Sequence, residues 1–254
     1  MLWSKPHKYF PDPFEKEADL ESAIQEVKSE LFGQARIYLD IKKKIGKRGR
    51  KENIPDGYLI DLSSTTTPSL YVVENELGSH HPIKHVALQI LEFSLSYQTS
   101  IALVKDILKE GLNSSSEDLK TCQEYVRQTQ FDNVDHLLDA IVHANDSFKA
   151  LVIIDELDED LEKVLREQFR FPVEIITLRR FSSVKGEQMY EFDPFLADLF
   201  EGAEAVPQGN RLPKLDPEEL DTVIVPAHEE GFHRVFLGEQ RWYKIRIRSS
   251  MIPK

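Results

Sequence analysis

Three acidic side chains between residues 54 and 97 have the type and spacing to do chemistry together. Asp56 comes before one apolar stretch, and Glu74 and Glu76 come at the end of a second stretch that is apolar and β-branched. A run of Ser, Thr and Pro separates the two stretches and favours a turn, so the pattern predicts a β-hairpin. Residues two apart on a strand share a face, which puts Glu74 and Glu76 together and brings Asp56 to the same end of the strand pair.

Such a cluster of carboxylates predicts a bound cation. Like charges close together raise one another's pKa and oppose folding unless another group neutralises them. Mg²⁺, or Mn²⁺ in its place, is suited to this because a hard divalent cation prefers oxygen ligands and keeps some of its water. A cation held by Asp56, Glu74 and Glu76 can polarise a phosphate and lower the pKa of a bound water, so we expect chemistry at a phosphate.

The hairpin also predicts which residues face each other. The expected strands cover residues 57–62 and 70–73, with the turn centred near residues 65–67. The expected facing pairs are Asp56 with Asn75 or Glu76, and Asp61 with Leu70 or Tyr71. Asp61 is therefore expected near the turn, away from the glutamates.

The acidic residues stand in a pattern that resembles the motif of the PD-(D/E)XK nuclease superfamily. That motif is Pro-Asp, a variable spacer, and then an acidic residue, any residue and usually Lys. This chain has Pro55-Asp56 and later Glu74-Asn75-Glu76, so a glutamate stands where the lysine is expected. Some restriction enzymes of the superfamily carry Glu at that position and remain active, whereas other members with substitutions in the motif have lost catalysis.

The resemblance implies a restriction-endonuclease-like core and a Mg²⁺-dependent deoxyribonuclease, an endonuclease that hydrolyses DNA. Asp56 and Glu74 would hold the metal together with Glu76 or the backbone carbonyl of Asn75, and Glu76 would position or deprotonate the attacking water. The resemblance extends loosely over residues 17–195. Because cutting both strands commonly requires two sites, a homodimer is one expectation for the oligomeric state.

Two predicted helices add candidates for the same site. The first, over residues 15–32, carries Glu21 beside its apolar stripe, and superfamily members often draw a Glu from such a helix. The second follows the hairpin, and its Gln89 resembles the Gln that often lies beside the metal. The alternatives are ordinary helix solubility for Glu21 and a partly buried amide for Gln89. Lys84 is a candidate for a relocated lysine, but a solvated residue is favoured there. The apolar residues of the second helix that should face a core are Val86, Ile90, Phe93 and Tyr97.

The charge of the chain is unevenly placed. A net charge of −12 over 254 residues argues against a broad surface that coats DNA. A basic run nevertheless comes just before Asp56, and a flexible basic loop there would contact phosphates in a salt-sensitive way. The alternative is a solvated loop whose charge only offsets the acidic body. The candidate nucleic-acid-binding residues are Lys42, Lys43, Lys44, Lys47, Arg48, Arg50 and Lys51.

Composition narrows the class of protein further. A hydrophobic fraction of 41% is enough for a buried core. No apolar run approaches the ~20 residues needed to cross a bilayer, and the first residues lack the apolar segment of a signal peptide, so no membrane partner is expected. Cys122 is the only cysteine, which excludes an internal disulfide and suggests a reducing, cytoplasmic location. The sequence has no P-loop, Rossmann or zinc-finger motif, so it does not favour a P-loop motor, a Rossmann oxidoreductase or a zinc-finger protein.

The expected fold class is α/β, with a mixed β-sheet flanked by helices and a short C-terminal β-rich segment. A helix over residues 155–169 between two apolar runs predicts a β-α-β unit with parallel strands. The C-terminal segment is too short for its own core, so it should pack on the main domain, pair with another copy or begin a further domain. The expected parts are an N-terminal arm (residues 1–14), the main domain (15–200), a linker (201–221) and a C-terminal β segment (222–254).

The C-terminal segment has an alternating pattern of its own. Four cations alternate there with aromatic and aliphatic residues: Arg241, Lys244, Arg246 and Arg248 with Trp242, Tyr243, Ile245 and Ile247. This pattern is compatible with a basic, aromatic face for nucleic acid, although solvated strand residues are the favoured interpretation.

Three functions follow from the residues and stay open. The favoured one is the metal-dependent DNA endonuclease. The second is a catalytically inactive module of the same fold that binds nucleic acid or a partner protein, which Glu76 and the acidic net charge favour. The third is a structural or interaction protein whose carboxylates are solvated at a sheet edge and point apart.

Overall fold

A computed structural model describes most of the chain and divides it into two units, Met1–Leu196 and Ala197–Lys254. The described residues are 2–4, 7–46, 53–80, 82–144, 148–192, 224–226, 232–237 and 241–246. Among them, no helix combines the length and the apolar character needed to cross a bilayer.

The described residues of the first unit form one mixed β-sheet, six α-helices and a short 3₁₀ helix, Gly78–His80. Its strands are β1 (Leu2–Ser4), β2 (His7–Pro11), β3 (Arg36–Leu39), β4 (Gly57–Asp61), β5 (Ser69–Glu76), β6 (Lys149–Ile154), β7 (Val173–Ser183) and β8 (Gln188–Phe192). Its helices are α1 (Glu17–Phe32), α2 (Pro82–Gln98), α3 (Ile101–Ser114), α4 (Ser116–Gln128), α5 (Val134–His143) and α6 (Glu159–Glu167).

The sheet order is β1-β2-β7-β6-β5-β4-β3, with β8 also paired to β7. The central pairs β5–β6 and β6–β7 are parallel, and the other pairs are antiparallel. The expected α/β class with a mixed sheet flanked by helices is therefore confirmed. The expected N-terminal arm contributes two of these strands, because β2 pairs with β7.

The two faces of the central strands are covered by different helices. Phe32 of α1 stacks on Tyr38 of β3, with ring centroids 5.1 Å apart, so α1 covers the face to which Tyr38 belongs. On the opposite face, Tyr58 and Val72 form one buried cluster with Val86 of α2 and with residues of α3 and α5. Burial on both faces explains why the central strands read as continuous apolar runs.

The hairpin has a different register from the expected one. Gly57 pairs with Val73, so the next residue back, Asp56, lies opposite Glu74 and not opposite Asn75 or Glu76. At the other end of the strand, Asp61 pairs with Ser69 and not with Leu70 or Tyr71. Asp61 has two polar partners, neither of them on β5. Its Oδ1 accepts the backbone N–H of Ser63 at 2.9 Å, and its Oδ2 lies 3.0 Å from Nε of Arg36. As expected, Asp61 lies near the turn.

Helix α6 begins later than the expected residue 155. Asp158 caps it, with its Oδ1 accepting the N–H of Leu161 at 2.7 Å. Asp155 lies before the helix, and its carboxylate accepts the N–H of Gly78 at 2.7 Å. Asp155, which follows β6, is therefore hydrogen-bonded to the segment that follows β5, the neighbouring parallel strand.

The second unit has three described strands, β9 (Ile224–Pro226), β10 (Phe232–Leu237) and β11 (Arg241–Arg246). They form an antiparallel sheet in the order β11-β10-β9. Strands were expected in this segment, and the pairing shows which positions share a face.

Candidate functional site

Asp56 is held in place at the start of the hairpin by the neighbouring strand. Its backbone N–H donates to the carbonyl of Val73 at 3.1 Å, and its Oδ2 accepts the N–H of Asn75 at 2.9 Å. The carboxylate is partly buried, and burial raises its pKa even though the Asn75 N–H and the charge of Lys42 oppose this. Asp56 is therefore fixed by main-chain hydrogen bonds beside the glutamate end of β5.

Glu74 lies at the centre of the acidic group and is only 4% exposed. Its pKa is raised to about 9, first by burial and then by the charges of Asp56, Glu76 and Glu17, while a hydrogen bond with Gln89 opposes the rise. Its Oε2 has no hydrogen-bond partner among the described residues. At neutral pH, Glu74 without a cation is therefore a neutral acid that lacks one partner.

Glu76 shares the face of Glu74 and is only 2% exposed. Its Oε1 accepts the N–H of Leu77 at 3.0 Å, and its Oε2 lies 3.5 Å from Nδ1 of His85 on α2. The same His85 nitrogen lies 3.1 Å from Oε1 of Gln89. The first turns of α2 thus bring a histidine and an amide to the glutamate pair.

Asn75 points to the other face, as strand alternation requires. Its side-chain amide donates to the hydroxyl of Tyr38 at 3.4 Å. Asn75 thus contributes its main-chain N–H to Asp56, while its side chain belongs to the face covered by α1.

Lys42 is the residue whose part in this group the sequence did not reveal. Its Nζ lies 3.1 Å from Oδ1 of Asp56 and also hydrogen-bonds Oε1 of Glu21. Burial alone would lower the pKa of Lys42, but the hydrogen bond to Glu21 and the charge of Asp56 outweigh it and raise the pKa. No local sequence pattern specifies this contact, which follows only from the strand pairing. Because β3 pairs antiparallel with β4, the chain just after β3 runs beside the residues just before β4.

The expected site residues therefore fall into two connected sets. Glu74, Glu76 and Gln89 form one set, and Asp56 and Glu21 form the other through Lys42. Asp56 and Glu74 are the link between the sets. Glu21 of the first helix reaches this group through its hydrogen bond with Lys42, and its expected part in catalysis stays a prediction.

The basic run was expected to form a loop that contacts nucleic acid. Lys42 is engaged by two carboxylates, and Lys43 forms an ion pair with Glu110 on α3. Lys44 is exposed. Lys47, Arg48, Arg50 and Lys51 lie outside the described residues.

The donor atoms of this cluster fit a hard divalent cation in kind, because they are carboxylate oxygens and one of them, Oε2 of Glu74, is buried without a partner in the part of the chain that the structure describes. They are not already gathered around one point. Within the described stretches, no three His, Cys, Asp or Glu side chains are grouped so that they could hold a metal ion. Lys42 provides a positive charge next to Asp56 in their present arrangement.

Comparison of the chain with protein-family models, curated proteins and solved structures finds no match. The nuclease family and the restriction-endonuclease-like core therefore stay predictions from the motif. A function has to be argued from the side chains around Glu74.

Proposed function

We propose that this chain is a metal-dependent DNA endonuclease that hydrolyses phosphodiester bonds at the cluster around Asp56 and Glu74. The observation that carries the proposal is Glu74 itself, which is buried on a central strand beside two further acids and has one oxygen without a hydrogen-bond partner among the residues that the structure describes. A buried polar group without a partner costs free energy, so it calls for an explanation such as a function or a bound ion. The burial of both glutamates on an interior strand argues against solvated carboxylates at a sheet edge.

The sheet supports the restriction-endonuclease-like core that the motif implies. The acidic strand β5 lies in a mixed sheet between an antiparallel and a parallel neighbour, and helices cover both faces. In this proposal Asp56 and Glu74 would hold Mg²⁺ or Mn²⁺, with Glu76 or the Asn75 carbonyl as a further ligand. When bound, the cation would stabilise charge on the scissile phosphate and lower the pKa of a water.

The side chains around these ligands would orient them. The N–H of Asn75 fixes one oxygen of Asp56, and the N–H of Leu77 fixes one oxygen of Glu76. Gln89 holds Glu74 from the helix side. Glu76, in the place of the motif lysine, would position the attacking water or accept its proton.

Lys42 would supply the positive charge that this chain lacks at position 76, where the motif usually has lysine. Its side chain is 44% exposed, so its ammonium group is open to solvent while it contacts Asp56 and Glu21. An ammonium at the edge of an acidic site can donate to a phosphate oxygen that would otherwise be repelled by the carboxylates. Lys42 would thus contact a phosphate, as expected for the basic run just before Asp56.

The test is cleavage of supercoiled, linear and single-stranded DNA in Mg²⁺ and in Mn²⁺. Asp56→Asn and Glu74→Gln should each abolish cleavage, whereas Glu159→Gln, an exposed acid on α6, should cut like the parent protein. Circular dichroism would show that the variants are folded. If the parent cuts none of these substrates, or if both site variants cut as it does, the proposal is wrong.

A catalytically inactive module that binds nucleic acid or a partner protein is the second candidate. Two observations favour it: Glu76 replaces the motif lysine, and the described acids are not grouped as a ready metal site. Calorimetric titration with Mn²⁺ separates the two candidates. If the chain is an enzyme, the parent protein should bind Mn²⁺ and the Glu74→Gln variant should not. If it is an inactive module, no Mn²⁺ binding should depend on this glutamate.

A further inference from the structure

The strand pairing of the second unit sorts its residues into two chemically different faces. In an antiparallel pair, facing residues belong to the same face, and positions alternate between faces along each strand. Arg234 faces Lys244, Phe236 faces Trp242, and Phe232 faces Arg246. These six positions belong to one face, which we call the cationic-aromatic face.

The other face has a different composition. Its facing pairs include Val235 with Tyr243 and His233 with Ile245, and β9 adds Ile224 beside Val235. One cation, Arg241, belongs to this face, opposite Leu237. Aliphatic positions of this kind suit packing, so the cationic-aromatic face is the one whose composition suits a polar ligand.

Charge makes the cationic-aromatic face unusual within this chain. The whole protein carries a net charge of −12, yet the described strand residues of the second unit include four Lys or Arg residues and no Asp or Glu. Three of the four cations share the cationic-aromatic face. A local concentration of positive charge in an acidic protein is what attracts a polyanion.

The aromatic residues narrow the identity of the polyanion. A duplex presents phosphates but keeps its bases stacked inside, whereas a single strand offers bases that can stack on aromatic side chains while cations contact its backbone. We propose that the face formed by Phe232, Arg234, Phe236, Trp242, Lys244 and Arg246 binds single-stranded DNA. The choice of DNA over RNA rests on the proposed function, whereas the choice of a single strand rests on the strand register alone.

The binding test uses the full chain in EDTA, so that no cleavage occurs. A fluorescein-labelled thymidine oligonucleotide of about 16 nucleotides, near the upper site size of a small single-strand-binding fold, is titrated by fluorescence anisotropy. Trp242→Ala should weaken binding about 10-fold, because one stacked base is lost. Replacing Arg234, Lys244 and Arg246 together by glutamine should lower the slope of log affinity against log salt by about 2, since each phosphate contact on a single strand contributes about 0.7.

Arg241→Gln is the matched control, because it removes the same charge from the same strand on the opposite face. It should leave the affinity within about 2-fold of the parent, whereas Lys244→Gln should weaken it by more. Equal losses in both variants would overturn the assignment of the face.

A second measurement does not depend on replacing any residue of the face. The chain has two tryptophans, so a Trp3→Phe variant leaves Trp242 as the sole tryptophan. Stacking of thymine on Trp242 should quench its fluorescence in proportion to binding. Binding without quenching would overturn the stacking role of Trp242.

Three competitors complete the test. Unlabelled duplex DNA, polyuridine and polyglutamate should each displace the labelled strand less well than unlabelled oligothymidine. More effective competition by duplex or polyglutamate would overturn the single-strand assignment, and more effective competition by polyuridine would overturn the choice of DNA. The double variant Asp56→Asn, Glu74→Gln should bind the labelled strand as the parent does, while its cleavage is lost. Failure of the nuclease proposal and failure of the single-strand-binding proposal are therefore separate results.

Discussion

Replacing Glu74 by glutamine should stabilise the folded protein, by an amount that grows as the pH rises. In the folded chain the pKa of Glu74 is raised to about 9 by burial and by its acidic neighbours, from an ordinary value of 4.5. The folded state therefore keeps a proton that the unfolded chain loses above about pH 4.5. Glutamine has nearly the same shape and no proton to lose, so the variant lacks this dependence.

The magnitude follows from the shift. Between about pH 4.5 and about pH 9 the unfolded state binds fewer protons than the folded state, so the free energy of unfolding falls by about 1.4 kcal/mol for each pH unit. At pH 7 the free energy of unfolding of the parent is therefore about 3 kcal/mol lower than it would be with a side chain at position 74 that does not titrate. Below the unfolded pKa both states are protonated, and parent and variant should have similar stability.

Urea unfolding followed by circular dichroism measures this directly. Parent and Glu74→Gln are compared in EDTA from about pH 5 to about pH 8, and the difference between their free energies of unfolding is plotted against pH. Glu159→Gln, an exposed acid, serves as the control and should track the parent. Parallel curves for the parent and Glu74→Gln would show that Glu74 is not a buried, protonated acid and would refute the reasoning.

Three further predictions concern single side chains, and two of them come with a comparison variant. Lys42→Met should slow DNA cleavage about 10- to 100-fold, because a cation at the edge of the acidic site is lost. Lys43→Met, which removes a surface ion pair with Glu110, should leave the cleavage time course unchanged. Asp158→Ala should lower the free energy of unfolding by about 1 kcal/mol in urea titrations, since it removes the N-cap of α6. Tyr58→Phe should not destabilise the protein, because its buried hydroxyl has no partner among the described residues. Tyr125→Phe should cost about 1 kcal/mol, because its hydroxyl donates to a backbone carbonyl at 2.6 Å.

Local patterns predicted the elements around the site well. The turn composition after Asp61 and the β-branched run before Glu74 gave the hairpin, and the helical spacing gave a second helix whose apolar face is buried. These features depend on neighbours in the sequence, so the sequence carries them plainly.

Long-range partners explain what the sequence did not give. Asp61 pairs with Arg36 on another strand, and no local signal specifies that pair. The contact between Lys42 and Asp56 requires knowing that β3 is the antiparallel neighbour of β4. The start of α6 was ambiguous, because Asp155 and the observed N-cap Asp158 are both residues that favour the N-cap position.

The order in which the sheet can assemble follows from its central parallel pair. Strands β3, β4 and β5 follow one another along the chain, whereas β6 can pair with β5 only after α2, α3, α4 and α5 have been accommodated between them. Closing so long a connection is entropically slow, so β6 should dock late in folding. Until then Glu74 and Glu76 lie on what is still an outer strand and remain hydrated. The penalty of removing these acids from water should therefore fall on the docking step, and refolding should slow as the pH rises from about 4.5 to about 9.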